Sequence, residues 1–153
     1  MEIIRINQIS NYSDKTIKIN GWVYNSRRSG KIGFLTIRDG FGLLQCIVVR
    51  DEVSEEIFEN FKRLTQESSL SVIGKVVKND RAIGGYEILL ESFEIHHLSQ
   101  DYPITPKEHG TEFLMSNRHL WLRSKRQHAI LKIRHQIIKS IRDFFDMNDF
   151  TLV

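Results

Sequence analysis

The most constraining feature of the sequence is a series of short apolar segments with alternating polarity, separated by turn residues. Residues 21–49 read GWVYNSRRSGKIGFLTIRDGFGLLQCIVV. Alternation rich in β-branched and aromatic side chains predicts strands, and the RSGK and DGFG segments are typical of turns. We therefore predict three consecutive strands in this part of the chain.

Two further strands and a helix complete the predicted sheet. The five predicted strands cover residues 17–28, 33–39, 43–49, 69–78 and 86–97. Between the third and fourth strands, Ser54 is a candidate N-cap and the apolar residues after it follow helical spacing. The order β-β-β-α-β-β with a long first strand is typical of the OB-fold, a mainly β, five-stranded Greek-key barrel. Another small β-barrel, or a split sheet with one covering helix, remains the alternative.

The last third of the chain predicts a linker followed by a long helix. Both prolines lie in residues 99–116, and each disfavours helix at the residue before it. Residues 124–145 then carry apolar side chains at three- and four-residue steps, which predicts an amphipathic helix. The final residues, DFTLV, are typical of a strand that is just beginning. We thus expect a barrel domain at 1–98, a linker at 99–116 and the start of a second domain at 117–153, all from the front of a longer protein.

Composition and motifs exclude several classes of function. The net charge is +3, and residues 117–142 contain eight Lys/Arg and no acidic residue, as in segments that contact phosphates. The single cysteine, Cys46, excludes a disulfide within the chain and a zinc site of paired cysteines, and it favours a cytoplasmic location. We expect neither a signal peptide nor a membrane-spanning stretch, and the sequence has no P-loop and no HExxH or serine-elbow motif. We expect no metal site and no catalytic residues.

The candidate site residues lie on the outer face of the predicted barrel. Strand alternation places Phe34 and Gln45 on the face opposite the apolar pairs, so both should point outward from neighbouring strands. OB-folds commonly stack unpaired bases on such an aromatic residue, which contributes about 1–3 kcal/mol per base. Gln45 can pair with the edge of a uracil, and the carboxylate of Glu87 can accept from a guanine. Arg27 and Arg28, at the rim of the first strand, can bind phosphates.

The same residues are also compatible with interpretations in which they have no role in binding. Phe34 is equally compatible with a hydrophobic surface that another domain covers. Glu87 is compatible with an ordinary solvent-facing strand position, and Gln45 alone carries little information. The basic segment at 117–142 is compatible with a solvated helix face.

The sequence also resembles a known family. The segment INGWVYNSRRSGKIGFLTIRDGFGLLQCIV resembles the N-terminal anticodon-binding domain of class IIb aminoacyl-tRNA synthetases, the group for aspartate, asparagine and lysine. The segment from DYPITPKEHG to NRHLWLRS looks like the asparaginyl branch of that family. Aspartyl and lysyl enzymes usually carry an Arg-Tyr-Leu-Asp-Leu-Arg type of sequence in place of NRHLWLRS. The resemblance covers essentially the whole chain.

The resemblance implies roles for the candidate residues. It implies that Phe34 stacks on the middle anticodon base, a uracil, and that Gln45 reads the same base. Glu87 would read the first anticodon base, a guanine or its modified form, and Arg27 would contact the anticodon. Arg28 matches a less constant position and is a possible contact to the RNA backbone.

The resemblance further implies a larger enzyme. The helix at 124–145 corresponds to class II motif 1, a homodimer interface, here with Ile130, Ile133, Ile137 and Ile141. The full-length protein would ligate asparagine to tRNA(Asn) with ATP and Mg²⁺, but motifs 2 and 3 are not in this chain, so we expect it to be inactive alone. The alternatives are a free-standing OB-fold that binds single-stranded nucleic acid, or part of an aspartyl-tRNA synthetase of relaxed specificity.

Overall fold

The computed structural model describes residues 2–153, which form two compact units that divide between Tyr102 and Pro103. We describe each unit by itself. The domain limits expected from the sequence, including the linker at 99–116, stay a prediction.

The N-terminal unit is a closed β-barrel. Its elements, in chain order, are a 3-10 helix at Ile6–Tyr12, β1 at Thr16–Ser29, β2 at Ile32–Arg38, β3 at Leu43–Val49, α1 at Glu55–Lys62, β4 at Ser69–Lys78, a 3-10 turn at Ile83–Gly85 and β5 at Tyr86–His97. Across the described residues, the strands close in the order β1-β2-β3-β5-β4. Only the β3–β5 pair is parallel. The predicted five-stranded OB-fold barrel, with a helix between its third and fourth strands, is confirmed.

The barrel core consists of the inward side chains of every strand and the apolar face of α1. In β2 and β3, buried and partly exposed residues alternate as the sequence predicts. Ser54 caps α1 by accepting a hydrogen bond from the Ile57 N–H at 3.3 Å. Phe58 and Phe61 of α1 are buried in the core. A Cβ atom at Gly33 would lie 2.6 Å from the Phe61 ring, so glycine is required where β2 packs against the helix.

Asp39 fixes the turn between β2 and β3. Its Oδ1 accepts from the backbone N–H groups of Phe41 and Gly42 at 2.7 and 2.9 Å. Its Oδ2 accepts from the Ile6 N–H at 2.8 Å and so ties the first 3-10 helix to the barrel. These hydrogen bonds fix the geometry of the turn. Since turn geometry sets the register in a hairpin, they also fix the register of β2 against β3.

The C-terminal unit is helical. It contains α2 at Thr111–Ser116, α3 at Arg118–Trp121 and α4 at Lys125–Met147. The Ser124 side chain caps α4 by accepting from the Gln127 N–H at 3.3 Å. The strand expected from DFTLV does not form: the Phe150 N–H donates to the Phe145 carbonyl at 3.1 Å, and residues 150–153 have no regular structure. A single strand has no backbone partner in this unit, and the Phe150 ring instead packs edge-on against the Phe145 ring of α4.

Candidate nucleic-acid interface

The outer surface of β1, β2, β3 and β5 carries two rows of side chains that run across the strands. The first row is Arg27, Phe34, Ile47 and Leu89, and the second is Asn25, Thr36, Gln45 and Glu87. We call these eight residues the platform. Neighbouring strands of a sheet lie about 4.7–4.9 Å apart, so each row is a line of adjacent side chains.

Phe34 and Arg27 form the centre of the first row. They are direct cross-strand partners, and the Arg27 Cζ lies 4.5 Å from the centroid of the Phe34 ring. A guanidinium at this distance is attracted to the ring electrons. The aromatic ring is only partly buried, so it keeps apolar surface that a flat ligand can cover next to a fixed positive charge.

Gln45 and Glu87 meet in the second row. The Gln45 Nε2 donates to the Glu87 Oε2 at 3.4 Å, across the parallel β3–β5 pair. The amide must present its nitrogen to the carboxylate, because two oxygens would repel each other. Gln45 thus keeps its carbonyl oxygen and a second N–H for a ligand, and Glu87 keeps acceptor capacity.

Arg28 lies on the opposite face of β1 from Arg27. Its cross-strand partner is Gly33, the residue that packs against Phe61 of α1. Arg28 therefore faces the helix and not the platform. The structure brings Arg27, Phe34, Gln45 and Glu87 together and places Arg28 elsewhere.

Two residues next to the candidate site residues, Thr36 and Lys62, were not predicted from the sequence. Thr36 lies between Asn25 and Gln45 in the second row, and the alternation that placed Phe34 outward was a signal for it as well. Lys62 of α1 lines a pocket of about 330 Å³ together with Ser26, Arg27, Arg28 and Phe61. No pattern in the sequence links Lys62 to β1, because the contact depends on how α1 packs.

The four candidate isoleucines lie in the C-terminal unit. Ile130, Ile133, Ile137 and Ile141 of α4 are between 46% and 62% exposed. With Phe144, 57% exposed, they form an apolar stripe along one side of the helix, which we call the α4 stripe.

Other chemistry is limited in the described residues. Residues 2–153 contain no group of three or more His, Cys, Asp or Glu side chains that could hold a metal ion. No helix in that range is long and apolar enough to cross a membrane. Cys46 is fully buried, and burial raises the pKa of its thiol well above the usual range.

Comparison with known families agrees with the barrel and its outer face. Residues 17–96 match the OB-fold nucleic acid binding domain, and residues 110–153 match the class II tRNA synthetases for D, K and N. The first match covers more than half of the chain, so the chain belongs to the family of OB-fold nucleic acid binding domains.

Matches to individual proteins point to one group within the class II tRNA synthetases. The chain is 49% identical over 152 residues to the asparagine-tRNA ligase of Sorangium cellulosum, a match that covers 99% of this chain and 34% of that protein. The crystal structure of asparaginyl-tRNA synthetase from Pyrococcus horikoshii complexed with asparaginyl-adenylate is similar with a TM-score of 0.91 and 33% identity, over 100% of this chain and 36% of that one. These matches confirm the resemblance inferred from the sequence.

One structure supports the fold alone. Aspartyl-tRNA synthetase from Entamoeba histolytica matches with a TM-score of 0.85 but only 19% identity, over 100% of this chain and 39% of that one. The chain spans about a third of the length of the relatives it matches.

Proposed function

We propose that this chain is the anticodon-reading part of an asparagine-tRNA ligase and that the platform binds the anticodon of tRNA(Asn). The observation that carries the proposal is the adjacency of an aromatic ring, an amide and a carboxylate on the outer face of an OB-fold barrel. The 49% identity to an asparagine-tRNA ligase supports the choice of tRNA.

Phe34 is the base-stacking residue in this proposal. An unpaired anticodon base stacks on the exposed surface of the ring, and the stack contributes about 1–3 kcal/mol. Arg27, which already lies over the ring, supplies the positive charge for the neighbouring backbone phosphate.

Gln45 and Glu87 read the base edges. The carbonyl oxygen of Gln45 accepts from the uracil N3–H, and its remaining N–H donates to a uracil carbonyl. The Glu87 carboxylate accepts from the ring N–H and the amino group of the preceding guanine. The contact between Gln45 and Glu87 supports reading of two consecutive bases, because it fixes the two side chains relative to each other.

The activity of the full protein belongs to the same proposal. An asparagine-tRNA ligase joins asparagine to its tRNA with ATP and Mg²⁺, and we propose that it does so in the cytoplasm as a homodimer that uses the α4 stripe. The class II match over residues 110–153 supports this assignment. The described residues offer no carboxylate cluster for a metal ion, so they do not fit the ATP and Mg²⁺ site and we derive no catalytic step for this chain.

The test is binding of the chain to anticodon stem-loops that carry GUU, GUC and UUU, with Phe34→Ala and Phe41→Ala compared. Phe41 is a matched control, since it is also a phenylalanine beneath an arginine, with the Arg5 Cζ 4.9 Å from its ring centroid, but it is 48% exposed and lies in the β2–β3 turn. We expect preference for GUU, a loss of about 1–3 kcal/mol for Phe34→Ala and little change for Phe41→Ala.

The isosteric variant Glu87→Gln should lose the preference for guanine at the first position, because its amide replaces one acceptor with a donor. Preference for GUC would instead indicate an aspartyl enzyme. Equal binding of all loops and of unrelated single strands, unaffected by Phe34→Ala, would contradict anticodon reading and favour a general nucleic-acid binder.

A further inference from the structure

We propose that the pocket between β1 and α1 is a second RNA-binding site, one that binds a backbone phosphate of the strand leaving the platform. The pocket has a volume of about 330 Å³ and is lined by Ser26, Arg27, Arg28, Phe61 and Lys62. This inference rests on the proposed function and extends it from the anticodon bases to the backbone beside them.

The geometry of the β1–β2 hairpin explains why the pocket lies beside the platform and shares only Arg27 with it. Ser26 and Arg28 pair with Leu35 and Gly33, which belong to the inward face of the barrel. At the Arg28–Gly33 pair, α1 packs on this face through Phe61. The Arg28 side chain is therefore exposed at the edge of the core, beside the helix.

The lining is cationic. It contains three positively charged side chains and the Ser26 hydroxyl, and none of its residues is acidic. Within residues 2–153, no carboxylate pairs with Arg28. A guanidinium offers a planar fork of donors that suits a phosphate, and an ammonium adds a point charge.

Lys62 is held at the pocket by other contacts of α1. Its Nζ donates to Glu59, which does not line the pocket, and it lies 5.4 Å from the centroid of the Phe58 ring. The hydrogen bond from Lys62 lowers the pKa of Glu59, and the Glu59 carboxylate competes with any anion for the lysine.

Continuity with the platform identifies the occupant as RNA. Arg27 lies over the Phe34 ring and also lines the pocket. A strand whose base stacks on Phe34 therefore passes Arg27 and meets Arg28 and Lys62 next. A phosphate there is read without regard to base identity, so the pocket adds affinity and orientation but no sequence preference.

The experiment compares Arg28→Gln/Lys62→Gln with the control Arg63→Gln in the complete chain, across a salt series. Arg63 follows the last residue of α1 and does not line the pocket. For the GUU stem-loop we expect the double variant to bind about fivefold more weakly at about 0.1 M salt, with a salt slope smaller by about 0.7, as for one lost phosphate contact. The same factor should apply to the GUC and UUU stem-loops. Binding of the trinucleotide GUU, which lacks the flanking backbone, should not change.

A second variant, which should bind the stem-loop more tightly and not more weakly, strengthens the test. Glu59→Gln frees Lys62 from an exposed ion pair, so the stem-loop should bind about two- to fivefold more tightly. An effect of the double variant no larger than that of Arg63→Gln, or a weakening that depends on the anticodon sequence, would overturn the site. Since Phe34→Ala acts on the trinucleotide as well, its result separates failure of the pocket from failure of the proposed function.

Discussion

The platform and the α4 stripe both expose apolar side chains, but the neighbours of these side chains differ. Phe34 lies beneath a guanidinium, and the adjacent row brings an amide and a carboxylate into contact. The α4 stripe instead presents Ile133, Ile137 and Phe144, each more than half exposed, in a continuous apolar surface. An aromatic ring surrounded by donors and acceptors suits a nucleic acid, whereas an uninterrupted apolar stripe suits another protein surface.

The two regions also differ in how their geometry is maintained. Platform residues are held by strands that are hydrogen-bonded on both sides and packed on a buried core. The residues of α4 are aligned only by the helix, and none of them is buried in its unit. The barrel should therefore tolerate changes at its surface but not in its core, while α4 should depend on what covers its stripe.

The largest effect is expected on self-association, from charged substitutions in the α4 stripe. Ile137→Lys/Ile141→Lys places two charges in the proposed dimer interface. Burial of one isoleucine contributes about 1.5–3 kcal/mol, and a twofold interface loses each change twice, so the dissociation constant should rise at least about a thousandfold. Sedimentation across a concentration series measures it. Binding of the GUU stem-loop to the platform should be unchanged, and unaltered self-association would contradict the assignment of the stripe.

A matched pair of phenylalanine substitutions tests the difference in burial. Phe58 of α1 is 1% exposed and Phe144 of α4 is 57% exposed. In the monomeric double-lysine background, Phe58→Ala should reduce the free energy of unfolding by about 3–5 kcal/mol. Phe144→Ala should change it by less than about 0.5 kcal/mol. Urea unfolding followed by Trp22 fluorescence, with Trp121→Phe, gives the value for the barrel, and the loss of helical circular dichroism gives the value for α4.

The milder Phe58→Leu keeps the measurement possible if Phe58→Ala does not fold. It should cost clearly less than the alanine variant, because it leaves a smaller cavity. Equal losses at Phe58 and Phe144 would show that α4 is packed as tightly as α1.

Strand alternation was sufficient to predict which face Phe34 and Gln45 occupy, because the side-chain period of two is a property of any strand. Alternation was not sufficient to predict that Arg27 is the cross-strand partner of Phe34. The β1–β2 register shifts between Val23 and Asn25, where Tyr24 is the additional residue. Without this bulge Ser26, not Arg27, would be paired with Phe34. A bulge depends on the closure of the whole barrel and leaves little trace in the local sequence.

The residues of the pocket were even harder to predict from the local sequence, because their contacts depend on tertiary packing. That Arg27 and Arg28 face opposite sides follows from alternation, but what Arg28 faces depends on α1. Lys62 is distant in sequence and meets β1 only because Phe61 packs on Gly33. The strand expected from DFTLV failed for a related reason: local preference cannot supply the partner strand that a sheet requires.

The smallest effect concerns how the platform keeps its aromatic ring in position. Arg27→Lys retains the charge but removes the planar group that lies over Phe34. Since such a cation–π contact at an exposed site is worth about 0.5–1 kcal/mol, the GUU stem-loop should bind about two- to fivefold more weakly, with an unchanged salt slope. Self-association through the α4 stripe should not respond. Tighter binding would reverse the interpretation, because it would mean that the guanidinium competes with the base for the ring and that the platform must be uncovered before it can read RNA.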